Sequence, residues 1–405
     1  MSKPLQGVRV LEAAIYAFAP SAAAILSDWG ADVLKIEHPT GGDPGRLTSA
    51  WGVPSSVNGV SHLWEVANRG KRAIALNIAT AEGKEILMRL VDESDVFITN
   101  FLPAARRKLG IEPEDIMCRN PAIVYARASA QGPRGDLSER GGFDGISYWG
   151  RSGAAIGVTP PGIDIPLTMP GPGFGDLQAG VGLAGGIAAA LFQRERTGEG
   201  VLVDVSLMSA GLWAMGMTIS GTSVLDVESL PHQHHFDSPN PLVNAYRTSD
   251  GHIVALAFLQ SDRYWPEFCV ATDRLDLLAD ERFTDSEARG ANAPDLIRVL
   301  DDLFAQHPLA YWEALLSTLD GQWDVMLPAG RVRHDRQAQA NGYVQSIEHE
   351  GDGVIVLVPA PAQFDGEAPT LGKAPGLGAD TDAVLAAQGY DDSAIADFRT
   401  RGVIL

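Results

Sequence analysis

Along the first half of the chain, short apolar runs alternate with segments of helical spacing. Val8-Arg9-Val10-Leu11, Asp32–Glu37, Arg72–Leu76, Val96–Thr99 and Ala122–Ala126 have the length and β-branched content of buried strands. A helix is predicted from near Pro20 through Ala22-Ala23-Ala24-Ile25-Leu26, with Gly30 as its stop. Proline suits a first helical turn and glycine a helix end. Thr80 can cap a second helix that carries Ile86, Leu87, Leu90 and Val91 on one face. Alternation of this kind predicts an α/β fold, a parallel sheet with helices on both faces.

The pattern then changes. Gly171-Pro172-Gly173-Phe174-Gly175-Asp176 reads as a turn-rich loop leading into a small-residue helix from Leu177 to Arg194. Val201–Val205 reads as a strand, and an apolar helix follows from Leu207. The segment His232-Gln233-His234-His235 to Pro239-Asn240-Pro241 lies in a predicted loop. Beyond it come a strand at Ile253–Leu256 and mostly helical spacing from Phe268 to Leu319. The last sixty or so residues hold short strands, a Gly/Pro stretch at 371–378 and a terminal helix. No internal repeat is visible.

The chain has 405 residues, enough for two or three domains. The formal net charge of −20 disfavours phosphate backbones and anionic lipid, so neither nucleic acid nor membrane is an expected partner. No apolar run reaches the ~18 residues of a membrane span, and the start lacks the shape of a signal peptide. Cys118 and Cys269 have no metal-ligand spacing and read as reduced thiols of a cytoplasmic protein.

Against this acidic background, two basic islands stand out: Asn68-Arg69-Gly70-Lys71-Arg72, and Asn100-Phe101 leading to Arg106-Arg107-Lys108. Each suits a polyphosphate ligand or an ordinary solvated face. Asp176 is the sharpest chemical candidate. Glycines at 171, 173 and 175 let backbone approach a ligand, and a helix start offers free N–H groups to developing negative charge. It reads equally as a helix cap. The glycine pattern is a poor dinucleotide loop, because Pro172 stiffens it and no strong strand precedes it directly. The histidine group at 232–235 has no ligand-type partner except Asp237, so no metal is expected. No Gly-x-Ser-x-Gly elbow occurs.

Taken together, these residues resemble the class III CoA-transferases, the family of formyl-CoA transferase and carnitine CoA-transferase, which is related to α-methylacyl-CoA racemase. The resemblance rests on Leu5–Glu12, Gly30–Glu37 with Gly42-Asp43, Asn100-Phe101, Gly175-Asp176, Thr197–Gly200, Val203–Leu207, Ala374–Gly378 and Thr381–Leu385. It implies a Rossmann-like large domain built from residues 1–220 and 336–405, a smaller inserted α+β domain at 221–335, and an interlocked homodimer.

The implied activity is transfer of CoA from an acyl-CoA to a carboxylic acid, with no permanently bound cofactor. Asp176 would be a nucleophile ionised near its usual pKa, helped by Gly175 amides and by Asp144. Tyr16, His38, Lys71, Arg72, Asn100, Phe101 and Lys108 would hold CoA, with Lys71 and Lys108 on its phosphates. Several positions depart from family members. Phe18-Ala19-Pro20 replaces Ala-Gly-Pro, Ala17 replaces the glutamine of formyl-CoA transferase, and Ala379-Asp380 replaces Glu-His. Phe143 stands where racemases carry histidine. A 2-methylacyl-CoA racemase and a non-catalytic CoA-binding protein are the alternative readings.

Overall fold

The computed structural model describes residues 3–48, 54, 56, 61–232, 234–349 and 353–405, so Gln233 of the histidine loop lies outside the described residues. The chain divides into two units. The first comprises residues 1–159, 164–230 and 333–405. The second comprises 160–163 and 231–332.

In the first unit six strands form one sheet: β1 (Arg9–Ala13), β2 (Asp32–Glu37), β3 (Arg72–Ala75), β4 (Val96–Thr99), β5 (Val124–Ser129) and β6 (Leu202–Ser206). Their order is β3-β2-β1-β4-β5-β6 and every neighbouring pair is parallel. This is the doubly wound order, whose direction reverses between β1 and β4.

Both sheet faces are covered, which is why the strands read as unbroken apolar runs. Val10, Val33, Ile98 and Val124 face one cluster with Phe18, Ala22 and Leu26 of α1 (Phe18–Asp28). Leu11, Leu34, Phe97 and Tyr125 face the other, with Ile86 and Leu87 of α2 (Ala81–Asp92). Thr80 caps α2 as expected, its Oγ1 accepting the Gly83 N–H at 3.0 Å. The final segment returns to this unit. Asp380 closes the free edge of β3, donating its N–H to the Ala73 carbonyl at 2.9 Å and accepting the Ala73 N–H at 2.8 Å.

After β4 comes the short helix α3 (Pro103–Leu109). Helix α4 spans Phe174–Thr197, three residues earlier than the sequence predicts. Gly173, in the left-handed region at φ 73°, makes the turn into it. By length and composition α4 could cross a membrane. Instead, Ala179, Leu183, Ala184, Ile187 and Ala190 bury one face in the first core cluster. It lies almost in contact with α1: a Cβ on Gly180 would fall 2.1 Å from Ser21 Oγ. Helix α5 (Leu207–Ala214) follows β6 and is capped by Ser206.

The second unit has an antiparallel sheet of β7 (Val243–Arg247), β8 (Ile253–Ala257) and β9 (Trp323–Val325). Helix α6 (Ala293–Phe304) packs Leu296, Ile297, Leu300 and Phe304 against Trp265, Phe268 and Trp312 in a core of its own. The unit is α+β, as expected for the smaller domain.

Candidate active site

Open α/β sheets bind ligands outside the carboxyl ends of their strands, where the strand order reverses. Here that point is the gap between the ends of β1 and β4, and the next residues of each strand are tied together. The Asn100 carboxamide accepts the Ile15 N–H at 2.9 Å and donates to the Ile15 carbonyl at 2.7 Å. Tyr16 follows at φ 65°, a left-handed conformation costing a non-glycine residue roughly 1–2 kcal/mol. Its N–H is held by Asp43 Oδ1 at 3.0 Å, and its ring meets Phe143 edge-on at 5.4 Å.

Under this loop lies a buried charge cluster. Lys35 Nζ pairs with Glu12 at 2.7 Å and Asp43 at 2.9 Å. Lys71 Nζ pairs with Glu12 at 2.6 Å, and Arg46 with Glu37 at 2.6 Å. Three carboxylates therefore face three cations. Burial alone would raise Glu12, but the two lysines hold it below the usual carboxylate range. Burial and the Lys35 charge bring Lys71 down to about 8 against the pull of Glu12. Its remaining N–H groups go to the Pro20 carbonyl and Asn68 Oδ1, both at 2.9 Å. Lys71, expected on a CoA phosphate, has no donor left for one. Sequence alone does not reveal that β1 and β2 bring Glu12 and Lys35 beneath it.

Asp176 occupies the third position of α4, in the first turn rather than at the cap. Burial, and next the charge of Asp144, push its carboxyl up to about 7. The expectation of a carboxylate near its ordinary pKa is therefore corrected by its surroundings. Asp144 is itself 6% exposed, and burial raises it too. Its Oδ1 accepts the Gly145 N–H at 2.8 Å and its Oδ2 the Gly175 N–H at 3.3 Å. The Asp176 amide stabilises the same carboxylate. The first-turn amides that the sequence suggested for an oxyanion are thus turned toward Asp144. Gly175 is required here for space: a Cβ would lie 2.6 Å from Tyr148 Cγ.

A cavity of about 420 Å³ opens at the switch point, a size common for ligand sites. It brings together four of the expected residues: Tyr16, Asn100, Phe101 and Asp176. Asp144 and Gly175 sit just behind the nucleophile. Lys71, Arg72, His38 and Lys108 do not line it. Arg72 makes a two-pronged pair with Asp32 at 2.9 and 2.6 Å. His38 is exposed, its Nδ1 within 3.1 Å of the Thr40 backbone, and Lys108 is exposed in the last turn of α3.

The cations on the wall are Arg106, Arg107, Arg127 and Arg140. Arg106 is held by Phe101 O and Glu112, Arg107 by Glu139, and Arg127 by Asp204. Among the described residues Arg140 has no side-chain partner. Arg127 and Arg140 escape the sequence reading because neither belongs to a charge run. The one local signal is a basic residue before Gly141-Gly142.

In the second unit, His235 Nδ1 lies 3.0 Å from Asn244 Oδ1 and its Nε2 3.0 Å from Asp301. The histidine loop thus contributes a side chain that ties β7 to α6. Among the described residues no group of three or more His, Cys, Asp and Glu side chains is placed to hold a metal. Cys118 is exposed and Cys269 buried, both unpaired.

The doubly wound sheet, with Asp176 on the wall of the cavity at its switch point, is a Rossmann-like architecture, and solved structures give that architecture a name. The chain matches a CaiB/BaiF family protein from Brucella suis with a TM-score of 0.80 and 27% identity, over 96% of this chain and 100% of that one. The model of CoA-transferase family III matches residues 5–381. The chain belongs to that family and is a class III CoA-transferase. It is 31% identical to (R)-2-hydroxy-4-methylpentanoate CoA-transferase of Clostridioides difficile over 99% of both chains. It is 29% identical to cinnamoyl-CoA:phenyllactate CoA-transferase of Clostridium sporogenes, over 96% of this chain and 95% of that one.

Proposed function

We propose that this enzyme moves CoA from an acyl-CoA to a carboxylic acid through covalent intermediates on Asp176. The ionised carboxylate attacks the thioester carbonyl carbon. The C–S bond breaks and its electron pair leaves on sulfur, giving CoA thiolate and a mixed anhydride. The thiolate then attacks the Asp176 carbonyl of that anhydride and expels the donor as a free carboxylate. The aspartyl-CoA thioester that remains is consumed by the acceptor carboxylate through the same two steps in reverse. No resident cofactor is required.

The observation that carries this reading is the placement of Asp176: half-buried, free of any cationic partner among the described residues, and on the wall of the switch-point cavity. Tyr16, Asn100 and Phe101 support a CoA site along that wall, and Arg140 supplies an unpaired cation for its phosphates. Tyr16, Phe18, Phe143 and Leu207 make much of the remaining wall apolar. This favours an acyl group with an apolar end, and the two relatives are named for 2-hydroxy-4-methylpentanoate and for cinnamoyl-CoA with phenyllactate. Phe143 has no ionisable group with which to exchange an α-proton, which disfavours a racemase.

A second copy of the chain is supported by uncovered apolar surface. Trp213 is 87% and Met217 94% exposed, and the helix Gly216–Leu225 buries no residue. Two unpaired thiols support a cytoplasmic location.

Incubation with a panel of acyl-CoAs followed by hydroxylamine should leave a hydroxamate on Asp176, detectable by mass spectrometry. Asp176→Ala should lower turnover by about 10⁴-fold or more. Retained turnover in that variant sinks the covalent reading.

A further inference from the structure

We propose that Asp144 drives acylation of Asp176: a fixed anion packed behind the nucleophile makes its free carboxylate unfavourable and its uncharged, acylated forms favourable by comparison. This rests on the covalent reading above and adds to it a poising residue that never bonds to substrate.

The argument is geometric first. Asp144 is almost fully buried, and no lysine, arginine or histidine pairs with it among the described residues. Backbone amides of Gly145 and Gly175 hold both of its oxygens, which fixes the side chain and favours its ionised form. The residue between the two aspartates in space is a glycine. A Cβ at position 175 would lie 2.9 Å from Asp144 Cβ. The second carboxylate therefore sits against the backbone of the nucleophile's own helical turn.

Of the cations on the same cavity wall, Arg106, Arg107 and Arg127 are paired with other carboxylates, Arg140 stands without a side-chain partner among the described residues, and none of the four lowers the pKa of Asp176. α1 presents Ser21, whose Oγ lies 3.5 Å from the Asp176 carbonyl, and the turn Gly145–Gly150 presents the Tyr148 ring to Gly175. Asp144 is the charged side chain whose field acts on Asp176.

The chemistry makes that field useful. When Asp176 attacks, its negative charge passes through the tetrahedral adduct to sulfur and leaves with the thiolate. Residue 176 is uncharged in the mixed anhydride and in the aspartyl-CoA thioester. Repulsion from Asp144 is thus present in the free enzyme and relieved in both intermediates. The same repulsion makes Asp176 more basic and hence a stronger nucleophile once ionised. The accompanying penalty is a larger protonated fraction below neutral pH.

The test is the pH dependence of single-turnover acylation, followed by hydroxylamine trapping at Asp176 in wild type, Asp144→Asn and Asp144→Glu. Wild type should lose rate below about pH 7. Asp144→Asn should move that acidic limb down by about one pH unit or more and lower the alkaline plateau about tenfold, while Asp144→Glu restores the limb. A merely structural aspartate would change the plateau and leave the limb in place, and that result overturns the proposal. Absence of any Asp176 adduct in wild type would instead remove the covalent reading. If Asp144→Asn does not fold, Asp144→Ser is compared with wild type by the same trapping: a limb moved down supports the proposal, and a limb left in place overturns it.

Discussion

Two groups of buried charge lie within the same unit and are built on opposite principles. Beneath the β1–α1 loop, Glu12, Asp43 and Glu37 meet Lys35, Lys71 and Arg46 at distances of 2.6–2.9 Å. Beside the first turn of α4, Asp144 and Asp176 lie within reach of each other's charge, and among the described residues neither has a cationic side-chain partner. The first arrangement neutralises itself and fixes one conformation of the loop that carries Tyr16. The second leaves like charges unresolved in a low-dielectric place, where a reaction can use the stored energy. Burial of charge therefore marks neither structure nor function by itself; the balance of signs separates them.

Breaking the balanced cluster should have the larger effect on stability. Glu12→Gln leaves Lys35 and Lys71 buried with their shared counterion gone, and should cost about 3–5 kcal/mol. Chemical denaturation checks this. The double change Glu12→Leu, Lys71→Met should be milder than Glu12→Gln alone, because Lys35 keeps Asp43 and no orphaned charge remains. A midpoint for Glu12→Gln equal to that of wild type would mean the cluster does not hold the fold, and the contrast with the aspartate pair would be lost.

The strands were legible in the sequence because burial on both faces leaves long apolar runs, as at Val96–Thr99. The start of α4 was not, because Gly173 and its neighbours look like a loop until φ 73° at Gly173 is seen to turn directly into a helix. That three-residue difference moved Asp176 from a supposed cap to the third position of the helix. Asp176 stands out through its glycines and the helix start, Tyr16, Asn100 and Phe101 through the resemblance, and the cavity unites them. The resemblance puts Lys71 on CoA, and a charge run shows only neighbours in sequence, while its partner Glu12 lies 59 residues away. The same blindness hid Arg127 and Arg140, and the burial and repulsion that lift Asp176.

The unbalanced pair should show itself as a stability penalty of opposite sign. A carboxyl raised to about 7 binds its proton more tightly in the folded chain than in the unfolded one, where its value is 3.8. Folding stability contributed by this group is therefore present below about pH 4 and is lost as pH rises to about 7. Asp176→Asn removes the loss. With allowance for partial exposure, the variant should be about 2 kcal/mol more stable than wild type at pH 8 and nearly equal to it near pH 4. Paired denaturation curves at the two pH values measure this. A difference independent of pH would show that neither burial nor Asp144 raises Asp176.

The smallest expected effect joins the two regions. Asn100 fastens Ile15 from above, as Asp43 and Lys35 fasten Tyr16 from below, and both hold the wall along which CoA is proposed to lie. Asn100→Ala removes two hydrogen bonds of ordinary length between half-exposed groups that water can satisfy, at the low end of the usual range, about 0.5 kcal/mol each. Denaturation should therefore move only slightly. Released from that bridge, Tyr16 has less holding it in the left-handed region and should spend less time with its ring against Phe143. KM for the acyl-CoA should rise about three- to tenfold, while hydroxylamine trapping at saturating acyl-CoA stays near the wild-type rate. An unchanged KM alongside the same small loss of stability would assign Asn100 to loop anchoring alone, and would detach the neutral cluster from the chemistry at Asp176.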